Sequence, residues 1–172
     1  MENAIALIDQ IIEEHKTIMQ RVQTLEQVAN DAQAIVGLEK AKEAFMPGRL
    51  EEKQSLQKLQ ELLETIDQGL QAHFNREETG LLTAFEKHGD KKLASALRSL
   101  LLEHEDLRNR FSHSREHVAE LAGGGSSRHM WEASAHDMRA HISHTRKLLE
   151  AHAEIEQELL HALRSELMRA QG

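Results

Sequence analysis

The chain has 172 residues, 40% of them hydrophobic, and a formal charge of −8. That length predicts one domain, residues 1–172, with enough apolar content for a full core. Twelve histidines accompany no cysteine, no tyrosine and a single proline, which excludes disulfides, thiolate metal sites, protein-held iron–sulfur clusters and tyrosyl radicals. The acidic balance, the 3% aromatics and the lack of a dense basic tract argue against nucleic acid, and no apolar run reaches the roughly 20 residues that span a bilayer.

Ala, Glu, Lys, Leu and Arg make up about half of the chain, the composition of long helices. The first predicted helix runs from about Asn3, a plausible cap, to Ile35. Its apolar stripe is Ile8, Ile11, Ile12, Ile18, Met19, Val22 and Leu25, and Val36-Gly37 is expected to end it. This N-terminus is acidic and amphipathic and lacks a signal-peptide pattern, which predicts a cytoplasmic location. Residues 38–46 add at most a turn or two before the break at Met46-Pro47-Gly48.

The second predicted helix spans about Leu50 to His88, striped by Leu56, Leu59, Leu62, Leu63, Ile66, Leu70, Leu81, Ala84 and Phe85. Gly89-Asp90 stops it and caps the third. The third spans about Lys91 to Ala122, with Leu93, Leu97, Leu100, Leu101, Leu107, Phe111 and Val118. Gly123-Gly124-Gly125-Ser126-Ser127 connects it to the fourth, about Arg128 to Ala170, with Leu148, Leu149, Ile155, Leu159, Leu160, Leu163 and Leu167. Four amphipathic helices with short or moderate connections predict an all-α, up-down-up-down antiparallel four-helix bundle. An extended coiled coil or an oligomerised hairpin is the alternative.

Bundles hold metals in their cores with side chains from facing helices. At about 100° per residue, His15, His73, His104 and His152 each share the apolar face of their own helix. His113, His117, His136 and His161 fall about 140–180° away. The i, i+4 pair His113/His117 is therefore expected on a solvated face. His88 and His129 sit near helix ends. His141 and His144 lie too far along the last helix to join His152 and are expected to be hydrogen-bonded core or cavity histidines.

Two inward histidines precede a glutamate by four residues, His73…Glu77 and His152…Glu156, so each pair lies on one helix face. Counted from the shared bundle end, the four histidines and two glutamates fall in a band roughly 9 Å deep. The order Glu14-His15 then His73…Glu77 recurs as Glu103-His104 then His152…Glu156. Two similar helical hairpins related by an approximate two-fold would bring these groups together.

In these residues the chain resembles the hemerythrin-like, or His-His-Glu cation-binding, family. The resemblance rests on Glu14-His15-Lys16, on His73-Phe74-Asn75-Arg76-Glu77-Glu78 with Leu81-Leu82, on Glu103-His104 with Leu107-Arg108, and on His152…Glu156 with Leu159-Leu160. It covers essentially the whole chain. It implies a bundle holding two iron ions bridged by two carboxylates and an oxo or hydroxo group. His15, His73, His104 and His152 would be terminal ligands, and Glu77 and Glu156 would bridge. Imidazole suits iron and carboxylates bridge hard cations.

The oxygen carriers of that family have a histidine where this chain has Arg108, which cannot ligate a metal. That departure weakens reversible oxygen carriage and favours nitric oxide, peroxide or oxygen-reduction chemistry. Arg108 either steadies an anion in the pocket, pairs with a glutamate such as Glu77 or Glu156, or snorkels outward. The function expected is a non-haem di-iron protein that binds or senses a small oxidant, O2 foremost, with a small diatomic ligand or peroxide as its partner. The alternatives are nitric oxide or peroxide chemistry, iron donation for iron–sulfur repair, and a metal-free helical scaffold. Ferritin-like iron storage fits poorly, because only Glu158-x-x-His161 matches its pattern and His161 faces outward.

Overall fold

A computed structural model describes residues 2–40, 50–123 and 128–171, among which only Gly89, Asp90 and Leu102 lie outside a helix. Helix α1 spans Glu2–Lys40 and α2 spans Leu50–Arg76. A π-helical turn, Glu77–Leu81, leads directly into α3, Leu82–His88. Then come α4 (Lys91–Leu101), α5 (Glu103–Gly123) and α6 (Arg128–Gln171). The predicted break at Met46-Pro47-Gly48 and most of the Gly123–Ser127 connector lie outside the described residues. None of the described helices is long and apolar enough to cross a membrane.

The helix ends follow local chemistry. Asp90 is extended and its Oδ1 accepts a hydrogen bond from Leu93 N at 2.8 Å, capping α4. Gly89 donates its N–H to the Phe85 carbonyl at 2.9 Å. A Cβ at Gly89 would sit 2.8 Å from that same oxygen, so the close approach demands glycine. The stop predicted at Gly37 does not occur, since α1 continues to Lys40. One glycine costs a helix only about 1 kcal/mol, too little to end an element of 39 residues.

Helix α1 packs against α2 and α6, and α5 packs against the same two, so four helical lengths enclose one interior. That interior has two apolar clusters. One holds Ile18 to Ala29, Leu56 to Phe74, Leu107 to Leu121 and Ala135 to Leu149. The other holds Ala4 to Ile11, Leu81 to Phe85, Ala94, Leu97 and Leu160 to Leu167. Each fully buried Leu, Ile or Phe contributes roughly 1.5–3 kcal/mol. Between the clusters, on every helical length, lies a short buried polar stretch.

Two irregularities flank that stretch. The π turn adds a residue to one helical turn, a feature that often marks functional sites. Glu77 opens the turn and Leu81 closes it, and both are buried. Leu102 interrupts the third helical length just before Glu103-His104 and is 80% exposed. Ile155, expected in the core, is 49% exposed. His152 and Glu156 occupy the inner face of α6, which leaves Ile155 at its rim.

Candidate metal centre

The polar stretch consists of His15 on α1, His73 at the end of α2, Glu77 in the π turn, His104 on α5, and His152 and Glu156 on α6, all buried. The structure brings together all six residues singled out in the sequence. They form two overlapping groups whose donor atoms lie within 4.8 Å of one another. His15 and His73 share Glu77 and Glu156 in one group, and His104 and His152 share the same two glutamates in the other. The two carboxylates stand between two pairs of imidazoles.

Every histidine turns Nε2 inward. His15 Nε2 lies 3.2 Å from Glu156 and 3.7 Å from Glu77. His73 Nε2 contacts Glu77 Oε1. His104 Nε2 is 3.4 Å from Glu77 Oε2, and His152 Nε2 is 3.2 Å from Glu156 Oε2. His104 and His152 point their Nε2 atoms at each other across 3.2 Å. Despite this crowding, all four oxygens of Glu77 and Glu156 lack a hydrogen bond of good geometry. Two carboxylates with 0% exposure and no satisfied oxygen are costly to bury unless a cation joins them. The donor set therefore fits two cations, with two imidazoles each and both carboxylates shared.

The proton chemistry of the same atoms is uneven. Burial pulls the His15 imidazole down, but Glu156 and Glu77 outweigh it and hold its pKa up at about 9. Burial and the neighbouring His15 charge push His73 down to about 3. Burial raises Glu77 to about 7, against the pull of His104 and His15 and with Glu156 adding to it. Glu156 is opposed by burial yet falls below the ordinary carboxylate value, because His15 and His152 both face it. His152 is raised, Glu156 outweighing the cost of burial.

Outer carboxylates reach the other ring nitrogens, a set that the sequence reading missed. Glu78 Oε1 lies 3.4 Å from His104 Nδ1, and Glu103 Oε1 lies 3.4 Å from His152 Nδ1. Glu14 is 3.7 Å from His73 Nδ1 and is itself held by Arg76 through Nε and Nη2. Such partners fix the tautomer and aim the inner lone pair. The repeated Glu-His dipeptides were the available signal, since Glu14 and Glu103 each serve the histidine of the adjacent helix. His15 Nδ1 has no such carboxylate, and His73 Nδ1, with Glu14 at 3.7 Å, makes no hydrogen bond either.

Arg108 does not pair with Glu77 or Glu156. Its Nη1 and Nη2 donate to Glu78 at 2.8 and 2.6 Å, and its Nε donates to Gln71 at 3.0 Å. Its guanidinium lies 5.3 Å from the centre of the Phe74 ring, and Phe74 stacks on His104 at 3.8 Å. The guanidinium thus steadies Glu78 and the His104 ring from outside and is not turned toward the inner donors. Glu78 is pulled below the ordinary carboxylate value by that pairing.

His113, His136 and His161 are exposed as expected, and His88 is half-buried near its helix end. His144 is exposed, contrary to the expectation of a core histidine. Ile142 and Thr145 take the inward positions beside it. His141 is half-buried and bonds the Arg110 carbonyl at 3.1 Å. No family model, curated protein or solved structure significantly matches the chain.

Proposed function

We propose that the chain is a hemerythrin-like di-iron protein of the cytoplasm that binds or senses a small oxidant, O2 foremost. In this reading two iron ions, with a bridging oxo or hydroxo group, are held by His15, His73, His104 and His152 and bridged by Glu77 and Glu156. The observation that carries it is the sharing of two buried, unsatisfied glutamates between two histidine pairs. A metal-free scaffold would have to bury two carboxylates and four imidazoles in one layer with only protonated histidines to offset them. Imidazole and carboxylate ligands together favour iron, and the absence of cysteine rules out thiolate donors.

The order of the apolar clusters supports an up-down-up-down antiparallel bundle. The Leu81–Leu163 side of the core meets the start of α1, the end of the second length, the start of the third and the end of α6. Such an arrangement would relate the repeated Glu-His and His…Glu segments by an approximate two-fold.

Iron bound at these residues supplies one-electron chemistry toward O2, nitric oxide or peroxide. Glu78 and Glu103 hold the outer nitrogens of His104 and His152, leaving the inner nitrogens as donors. Ile18, Leu70, Phe74 and Leu149 border a cavity of about 10 Å³ beside His15, His73 and His152. That is room for about one water-sized molecule. Nitric oxide or peroxide reactivity is the second reading. It is favoured by the two-histidine composition of both groups, with Arg108 committed to Glu78.

Metal analysis of protein purified from iron-supplied cells tests the proposal. The expected result is about two irons per chain, one for each group, with oxo-ferric absorption in the visible range. Clearly substoichiometric iron without that absorption would sink it. Stopped-flow spectra of the reduced protein separate the two reactivities. An oxygen adduct released under vacuum supports O2 binding, whereas rapid irreversible oxidation supports the second reading.

A further inference from the structure

Three histidines unrelated to the core centre gather on the outer side of the α5/α6 seam. His113 and His117 stand one turn apart on α5, and His141 faces them from α6. The His113 ring centre lies 5.1 Å from that of His117 and 4.9 Å from that of His141. Nine residues separate His104 from His113 on α5, about 13 Å along the axis. An ion here would be distinct from any in the core.

We propose that His113, His117 and His141 form a second metal site, which takes one divalent borderline ion such as Zn2+ and fastens α5 to α6. A Zn–N bond of about 2.0–2.1 Å puts each ring centre roughly 3 Å from the ion, and tetrahedral placement then separates ring centres by about 5 Å. The His113–His117 and His113–His141 separations match that spacing, although the nitrogens of the three rings do not converge within 4.8 Å of one another as the core donors do. The i, i+4 pair supplies two ligands from one helix face.

The tautomer of His141 is suited to the task. Its Nε2 donates to the Arg110 carbonyl, because a carbonyl only accepts, and Nδ1 is left with its lone pair. This is the outer hydrogen bond that ligating histidines usually make. Burial and the nearby His113 push the His141 pKa down, against the upward pull of that carbonyl, so the ring is neutral. His117 is half-buried, and its Nδ1 is shut off from water without a hydrogen-bond partner. His113 stands between the other two and is exposed, and His117 and His141 are half-buried, so metal binding requires the rings to turn between rotamers until their nitrogens converge. The fourth position faces solvent and is left to water.

Equilibrium dialysis of the full chain against Zn2+, with metal analysis, tests this site. The comparison set is wild type, the His113→Gln/His117→Gln double variant, His141→Gln, and the Glu77→Gln/Glu156→Gln double variant. Both histidine variants should lose one Zn2+ per chain, or about tenfold or more in its affinity. The glutamate variant should keep that ion, even if it loses others. Hydrogen exchange should slow around residues 113–117 and 141 on adding Zn2+ to wild type, and not in the histidine variants. Unchanged Zn2+ stoichiometry and affinity in the folded His113→Gln/His117→Gln protein overturns the proposal. His113 is exposed and His117 only half-buried, so that protein should fold even if His141→Gln does not. Loss of the same ion in the glutamate variant would assign it to the core and overturn the proposal too.

Discussion

Glu77 and Glu156 concentrate the difficulty of this interior, because each is fully buried and each faces two histidines or more. If they bridge two ions, Glu77→Ala or Glu156→Ala removes a ligand from both at once. Each variant should then lose most of its iron by metal analysis, while His161→Ala, on an exposed position, should retain it. Full iron in both glutamate variants would refute the bridging assignment. The same residues set the pH dependence. In the metal-free protein His15 is held at about 9 against the pull of burial, burial raises Glu77, and Glu156 raises His152, so His15 carries a proton at pH 7 and the other two bind protons more tightly than usual. A cation must displace them. Binding that releases protons strengthens as pH rises, so affinity should climb from pH 6 and level off above about 9. Calorimetry in buffers of different ionisation heat should report a net release of protons on binding at pH 7. No release would mean that the ion does not bind through these atoms.

At the scale of the helices, the α3–α4 corner is the most sharply specified joint. It rests on the Gly89 close approach and the Asp90 cap. Asp90→Ala strips one acceptor from the start of α4 and should cost about 1 kcal/mol, a fall of about 2–4 °C in Tm for a chain of this size. Thermal unfolding followed by circular dichroism measures it, and an unchanged Tm would show the cap to be dispensable. This joint was legible in the sequence because Gly-Asp between two apolar stripes signals a stop and a start. The inward phase of His15, His73, His104 and His152 was legible for a similar reason, being set by the 3.6-residue period against neighbouring leucines. The π turn at Glu77–Leu81 was not, and neither was the interruption at Leu102. Both are adjustments of helix register to the packing of other helices, and a periodicity read along one helix does not contain them. The pairing of Arg108 with Glu78 was hidden likewise. The sequence offered Glu77 or Glu156 as its partner, but the acceptor that captures it is Glu78, from the neighbouring helical length. The outward-phase estimate for His117 also missed that its ring is half-buried.

For the whole molecule, one polar layer divides the apolar interior into two clusters. Each cluster contributes burial on its own side, and the layer between them opposes that gain for as long as its carboxylates are unsatisfied. A cation that binds only the folded chain stabilises it by about 2.7 kcal/mol at a free concentration 100 times its Kd. At 2–4 °C per kcal/mol, that is a rise of about 5–11 °C in Tm. Iron-loaded protein should therefore melt well above protein stripped with a chelator, and restoring iron should reverse the loss. The Glu77→Gln/Glu156→Gln variant separates this effect from general metal stabilisation. Its layer carries no carboxylate charge, so added iron should leave its Tm unchanged. Paired scans of wild type and variant, with and without chelator, give the four values needed. An equal response to iron in both proteins would place the stabilising ion elsewhere, and no response in either would leave the buried glutamates balanced by their histidines alone.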